Sequence, residues 1–453
     1  MPAPVPAGLK VRFQCFFMSL LSLDRELTQD SYYAATAPRG PGHAALAASI
    51  EADVAIVGGG LAGLSAAIEL AQRGHDVVLL EAALVGGGAS GRNGGQAIHG
   101  LACDQSTIED QLGLDESRRI WAMSIEALDL IRERCAQFDI DAEWQDGFLG
   151  LATSAAKAAE LQQWADRIAT VYDYPMQWIP QAEMPQWIDS KRFHAGVFDA
   201  RSGHLHPLKY SLGLARAAAS LGVRIYEHSA VTAMEHGERV VLSTAQGQVR
   251  ARQVLLAGNV YLPELAPALA PDLAARIMPV GTYIACTEPL DAERLRALVP
   301  SRSAVCDTNF VLDYFRPTAD QRLLYGGRVS YSTVTPRSLM NSMRARLLES
   351  FPQLRDVAMQ YAWGGFVDIS MNRAPDFGRL GTARNVYYLQ GFSGHGLALT
   401  GLAGRVVAEA MHGDAARFDT FARLRHRRFP GGKLMRTPAL VLGMAYNRLK
   451  DML

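Results

Sequence analysis

One stretch constrains the fold of this chain more than any other. Gly58-Gly-Gly60-Leu-Ala-Gly63 is G-x-G-x-x-G, and it follows the β-branched run Asp53-Val-Ala-Ile-Val57. It opens a segment, Leu61 to Gln72, whose apolar residues recur at helical spacing. Val77-Val-Leu-Leu80 reads as a second buried strand, and Glu81 ends it 18 residues after Gly63 (81 − 63). Strand, glycine turn, helix, strand and acid within one unit of ~30 residues predict a Rossmann-type dinucleotide site. In this reading Gly58 permits the tight turn, Gly60 lets backbone approach a pyrophosphate, and Gly63 lets the helix pack on the sheet. Leu61 and Ala62 start the helix whose N-terminus faces the phosphates. Glu81, followed by Ala82, accepts from a ribose hydroxyl and repels a 2′-phosphate.

The rest of the chain has an interleaved texture. A second glycine cluster, Gly86 to Gln96, follows the acid, and Glu116–Phe138 and Ala155–Val171 read as amphipathic helices. From about Gln181 short strands take over: Arg224–His228, Val231–His236, Arg239–Ser243, Gln248–Leu256, a block from Ile277 to Tyr331, and Met359–Ile369. The ending reverts to the opening style, with strand Val386–Gln390, glycine turn Gly391–Gly396 and helix Leu397–Met411. Two such turns at opposite ends of a strand-rich middle predict an α/β dinucleotide domain interleaved with a β-rich substrate domain. The expected dinucleotide parts are residues 31–145, 206–275 and 371–453. The substrate parts are 146–205 and 276–370, and 1–30 form a poorly ordered extension.

Composition removes several function classes. Lys+Arg 45 balance Asp+Glu 45, so no electrostatic footprint for nucleic acid or an anionic membrane exists. The basic stretch Arg423–Arg428 lacks interleaved aromatics. Five scattered cysteines without a CxxC pair fit free thiols in a reducing compartment. The apolar run Phe13–Leu23 meets Asp24-Arg25-Glu26 rather than a cleavage site and is too short to span a bilayer. A cytoplasmic location is therefore expected. His204-x-His206 precedes Pro207 and lacks a third ligand at metal spacing, so it is read as a cap for a helix Pro207–Leu221, and no metal is expected.

Three motifs together carry a family resemblance: Gly58–Gly63 with Glu81, Ala89-Ser-Gly-Arg-Asn-Gly-Gly-Gln96, and Gly391-Phe-Ser-Gly-His-Gly396. They resemble the DAO-type family of FAD-dependent amine oxidoreductases. Within it, Ser31-Tyr-Tyr-Ala-Ala-Thr36, Ser202–Pro207, Ala257-Gly-Asn259, Met278–Thr282, Leu312–Arg316 and Phe429-Pro-Gly-Gly432 resemble the subgroup that oxidises gamma-glutamylputrescine. The resemblance implies a Rossmann-type FAD domain joined to a β-rich substrate domain. By motif match Gly58, Gly60, Gly63 and Glu81 hold the ADP half. Ser90, Arg92, Asn93, Gly94, Gly95 and Gln96 lie near the ribityl chain and ring. Val231, on a short strand, meets adenine through its backbone, and Ala257-Gly258 form the second pyrophosphate-side turn. Gly391, Phe392, Ser393, Gly394, His395, Gly396 and Leu397 sit at the ring's pyrimidine edge, where a helix N-terminus favours the negative charge of reduced flavin. The Ser90–Gln96 loop holds no His or Cys, so non-covalent FAD is expected.

The implied chemistry is oxidation of the C–N bond of a small amine to an imine by hydride transfer to flavin N5, with dioxygen as acceptor and peroxide released. His395 is the candidate facing flavin or substrate, and Arg316 the candidate for the substrate's distant end. Tyr283 and Tyr314, with Phe315, Trp363 and Phe366, are candidates for an aromatic wall. Sarcosine-type relatives place a lysine shortly after Gly-His-Gly, whereas here Leu397-Ala-Leu-Thr400 follow. A carboxylate beside the reacting carbon would lack that partner, so an ω-amine is expected. The alternatives are a sarcosine- or glycine-type oxidase, with Arg92 or Arg373 replacing the lysine, and a flavin-binding electron-transfer protein without amine turnover.

Overall fold

The computed structural model describes residues 31–265, 269–309, 311–330 and 338–430. The readings placed on residues 1–30 and on Gly431-Gly432 lie outside them.

Two sheets organise the chain. The first runs in the order Asp376–Leu380, Val386–Gln390, Gln248–Leu256, Ser49–Val57, Val77–Leu80, Arg224–Tyr226. All its neighbours are parallel except the edge strand Asp376–Leu380, and Val240–Ser243 and Ala233–Glu235 add an antiparallel flap. Such strands are buried on both faces, which is why Val77–Leu80 is continuously apolar. Register decides where the site forms. Val57 pairs with Leu80 on one side and Leu256 on the other, and Leu256 pairs with Tyr388. The turns after Val57, Leu256 and Gln390 therefore gather at the carboxyl ends of neighbouring strands, where open α/β sheets bind ligands.

The helices Leu61–Gln72 and Gly396–His412 cross closely on this sheet, for a Cβ on Gly404 would lie 2.5 Å from Ser65 Oγ. The helix Leu114–Gln137 packs beside them, starting two residues before its expected span Glu116–Phe138 and ending one residue short of it. Its buried Arg134 donates to Ser65 Oγ at 2.7 Å and to Glu69 at 3.1 Å. Burial would raise the Glu69 carboxyl, but bonds from Arg73, Arg405 and Arg134 hold it below its ordinary range.

The second sheet runs Met359–Ser370, Ile277–Thr287, Leu323–Ser330, Tyr314–Pro317, Ala304–Asp307, Gln145–Ala152, Ala195–His204, Gln96–Ala97, with Gln177–Ile179 on Ala195–His204. It is antiparallel except between Ala304–Asp307 and Gln145–Ala152. Gln96–Ala97 thus crosses from the dinucleotide segment into the other sheet, because its backbone pairs with Gly203 and His204. His206 caps the helix Pro207–Ser220 by accepting from Lys209 N at 3.2 Å. Among the described residues no helix is long and apolar enough to cross a membrane, and no group of three His, Cys, Asp or Glu could hold a metal.

Candidate active site

The glycine turn behaves as its sequence demands. Gly58 has φ +114°, and a Cβ on Gly63 would lie 2.0 Å from Gly58 O, so neither position admits a side chain. Gly60 is the N-cap of Leu61–Gln72 and brings no side chain to cap it; Ser90 Oγ accepts the Leu61 N–H at 3.0 Å. Glu81 Oε2 accepts from Gly59 N at 2.7 Å and Oε1 from Ala83 N at 2.8 Å. The acid therefore braces the turn, and each oxygen keeps a second lone pair for a ribose hydroxyl. Burial raises its carboxyl against those bonds.

A cavity of 620 Å³ opens above this turn. Gly58, Gly60, Leu61 and Ala62 line it, with Glu81 and Ala82 after the second strand and Ser90 and Arg92 from the second glycine loop. Val231, Ala257, Gly258 and Phe392 complete the set anticipated from sequence. Val231 sits in the loop before Ala233–Glu235 rather than on a strand, because pairing begins only at Ala233. Lining residues missed by sequence reasoning include Arg39, Tyr261 and Asp368. Tyr261 Oη is buried without a hydrogen-bond partner among the described residues. An elongated diphosphate-bearing cofactor suits this wall: a helix N-terminus whose N-cap is a glycine, a cation from Arg39, an acid for ribose and an orphan hydroxyl. FAD fits.

The remaining loop candidates work behind the wall. Asn93 Nδ2 donates to Ala89 O and Ser90 O, and its Oδ1 accepts from Gly95 N, so it locks the loop. Gln96 Nε2 donates to Val305 O and Phe315 O, and its Oε1 accepts from Cys306 Sγ. Gly94 packs against the Tyr314 ring, and Gly95 has φ +75° with its α-carbon facing Arg316. Trp363 Nε1 donates to Arg92 O at 2.9 Å.

The turn Gly391–Gly396 divides its labour. Gly391 N donates to the Asp368 carboxylate and Ser393 N to Asp368 O at 2.9 Å. Burial pushes Asp368 up to about 7 even so. Phe392 faces the first cavity, while Gly394, Gly396 and Leu397 line neither cavity. His395 lines a second cavity of 310 Å³ on the far side of the turn. Its Nε2 lies 2.9 Å from His99 O and 3.2 Å from Ile98 O. Carbonyls only accept, so Nε2 carries the proton; burial, then the charge of His99, lowers the ring's pKa and leaves Nδ1 as an acceptor.

The other catalytic candidates lie elsewhere. Tyr283, Tyr314 and Arg316 line neither cavity. Tyr283 is 1% exposed in the second sheet's core, where Ile277–Thr287 turns it away from the site. Arg316 is spent on structure: Nε donates to Gly94 O at 2.7 Å and Nη2 to Tyr33 Oη at 3.0 Å. Phe315, Trp363 and Phe366 are likewise buried in packing clusters.

A different aromatic wall takes their place. Trp121 from helix Leu114–Gln137, Trp164 from helix Ala155–Tyr172 and Phe148 from strand Gln145–Ala152 line the second cavity around His99. Trp164 stacks on the His99 ring with centroids 6.0 Å apart, and Asp199 holds His99 Nδ1 at 2.7 Å. Burial would raise Asp199, but the bonds from His99, Ser202 and backbone hold it well below the usual carboxylate range. Asp104 and Asp307 also line the cavity, and among the described residues no Lys or Arg does. Arg192 Nη2 meets Asp307 from behind at 3.0 Å.

Comparison with known proteins agrees with this geometry. The family model described as DAO, FAD dependent oxidoreductase, matches residues 53–410. The chain is 42% identical to gamma-glutamylputrescine oxidoreductase of Escherichia coli over 93% of its own length and 98% of that protein. It is 26% identical to glycine oxidase of Geobacillus kaustophilus over 83% of its length and 97% of that protein. The crystal structure of glycine oxidase from Geobacillus kaustophilus superposes with TM-score 0.69 at 22% identity, covering 84% of this chain and all (100%) of that one. L-amino acid deaminase from Proteus vulgaris gives TM-score 0.68 at 18% identity over 85% of this chain and 99% of that one.

Proposed function

The chain belongs to the DAO family of FAD-dependent oxidoreductases, and on that premise we propose that it oxidises the C–N bond of an aliphatic ω-amine of the gamma-glutamylputrescine kind. The observation that carries this reading is the second cavity, which adjoins the first across the Gly391–Gly396 turn. Its described wall carries the Asp104 carboxylate, a second acid, Asp307, turned to Arg192, and three large aromatics but no lysine or arginine. An alkylammonium is attracted by carboxylates and by aromatic faces. An amino acid's carboxylate beside the reacting carbon would be desolvated there without a cation, which is costly.

Bound FAD, held non-covalently, supplies the two-electron acceptor. The chain's own residues position and deprotonate. Only a neutral amine can give up hydrogen from its α-carbon, and His395 Nδ1, kept unprotonated by burial, is the acceptor for the ammonium proton. Trp121, Trp164 and Phe148 exclude water along the alkyl chain. The substrate loses two hydrogens from CH–NH2, and water converts the resulting imine to an aldehyde and ammonia. Dioxygen is the terminal acceptor and leaves as peroxide.

Peroxide release by the flavin-bound protein over gamma-glutamylputrescine, putrescine, sarcosine and glycine tests the reading. The highest kcat/KM is expected for gamma-glutamylputrescine; a higher value for sarcosine or glycine overturns it.

A further inference from the structure

Asp199 is 4% exposed and lines neither cavity, yet donors converge on its carboxylate from every side. Oδ1 accepts from Tyr174 Oη at 2.8 Å and from Arg201 N at 3.0 Å, and Oδ2 from Ser202 N at 3.2 Å. Oδ2 also meets His99 Nδ1 at 2.7 Å. An ionised carboxylate only accepts, so that ring nitrogen carries the proton. A buried charge that reaches no cavity acts on a site only through what it holds in place, and Asp199 holds His99.

The backbone on either side of His99 is anchored in the same way. His99 N donates to Ser202 Oγ at 3.0 Å, and Gly100 N donates to Ser124 Oγ at 2.9 Å. A trans peptide unit is planar, with its N–H and C=O on opposite sides. Fixing these two N–H groups therefore aims Ile98 O and His99 O the other way. Both meet His395 Nε2, at 3.2 Å and 2.9 Å. The ring of His99, clamped by Asp199, fixes the residue that joins the two peptide planes. Two carbonyls on one ring nitrogen leave neutral His395 a single tautomer, with the proton on Nε2 and Nδ1 as acceptor. We propose that Asp199 is a positioning residue for His395: through His99 it aims the two carbonyls that set the tautomer and orientation of that ring. The assignment deepens the reading of His395 as the group that accepts the ammonium proton, and its kinetic consequence rests on that reading.

Asp199→Asn tests the link, because it keeps the shape but turns an amide N–H₂ on donors that now meet a carboxylate oxygen. The first readout needs no turnover: nitrogen NMR on flavin-bound protein with isotope-labelled histidine rings, the His395 signals being those that vanish in His395→Gln. Wild type should show the Nε2–H tautomer, and Asp199→Asn should show it depleted. The second readout is peroxide release with gamma-glutamylputrescine. There kcat should fall about ten-fold, the scale of one lost neutral hydrogen bond, with KM little changed. In a His395→Gln background the same substitution should cost nothing further, since a residue that acts through another is not additive with it. An equal loss in both backgrounds overturns the proposal, and so do His395 signals that stay as in wild type. If Asp199→Asn fails to hold flavin, Ser202→Ala, which removes the acceptor of His99 N, carries the same test with a smaller expected change. Absence of peroxide from every amine, with the His395 signals altered as expected, overturns the proposed reaction and leaves the role of Asp199 standing.

Discussion

His395 Nε2 sits 2.9 Å from the backbone oxygen of His99, and that contact ties the start of helix Gly396–His412 to the chain segment leaving the second sheet. The two cavities share this joint. One wall of it faces the first cavity through Phe392, the other faces the second through His395.

If His395 Nδ1 accepts the ammonium proton, His395→Gln should lower kcat for the amine about 10²-fold, the usual worth of a positioned base. The pH profile distinguishes this from a packing loss. Burial lowers the ring's pKa, so the wild-type acid limb should lie below the ordinary histidine value of 6.5. Activity falls as pH drops through that limb, and the variant should lack it. An unchanged limb in the variant would assign it to another group.

The cofactor turn gives two graded outcomes. Gly60→Val places a branched side chain on the wall of the first cavity, where a Cβ already meets Ser90 Oγ at 2.8 Å, and should abolish FAD binding. Glu81→Gln keeps the shape but sets an amide N–H₂ against one of the backbone donors of Gly59 or Ala83. One charge-assisted bond is worth about 1.5–3 kcal/mol, so FAD affinity should fall roughly ten- to hundred-fold. Flavin absorbance per protein after gel filtration measures both. Stoichiometric FAD in Gly60→Val would falsify the assignment.

Asp368 should make stability depend on pH. Burial, and then the nearby Asp376 charge, raise its carboxyl from 3.8 to about 7 against hydrogen bonds from Gly391 and Phe392. Between those values the folded protein holds a proton that the unfolded chain has released. Stability contributed by this group is therefore present at low pH and is lost as pH rises towards about 7. Urea denaturation of the flavin-free protein from acid to neutral pH should show Asp368→Asn with a flatter pH dependence than wild type. Parallel curves would place the titration elsewhere.

Installing the lysine of sarcosine-type relatives should fail for a structural reason. Ala398 is 3% exposed within the first sheet's core, so Ala398→Lys buries an ammonium instead of presenting it to a substrate. A destabilisation of about 3 kcal/mol or more is expected in denaturant midpoints. A stable variant with new activity on sarcosine would contradict that placement.

How much of this was legible in the sequence differs by residue. The turn Gly58–Gly63, Glu81 and the Ser90–Arg92 loop announce themselves because backbone geometry at a phosphate tolerates few residue types. The second cavity does not. Trp121 and Trp164 occupy helical apolar positions, a spacing that a packed core produces equally well. They become a wall only because two helices and strands from distant parts of the chain converge on His99. Tyr283 and Tyr314 line neither cavity, for the converse reason. Strand residues alternate between faces, and sequence alone does not tell which face of Ile277–Thr287 or Tyr314–Pro317 looks inward.

Arg316 and Trp363 have a further consequence. Arg316 grips the Gly94 carbonyl and Trp363 the Arg92 carbonyl, so the loop over the first cavity is stitched to the second sheet at two points. A loop that must let go of a neighbouring sheet before it can lift makes cofactor departure a slow, cooperative event. Residence time is then governed from outside the nucleotide fold: loosening Tyr314–Pro317, which lines neither cavity, shortens it without touching the cofactor's wall.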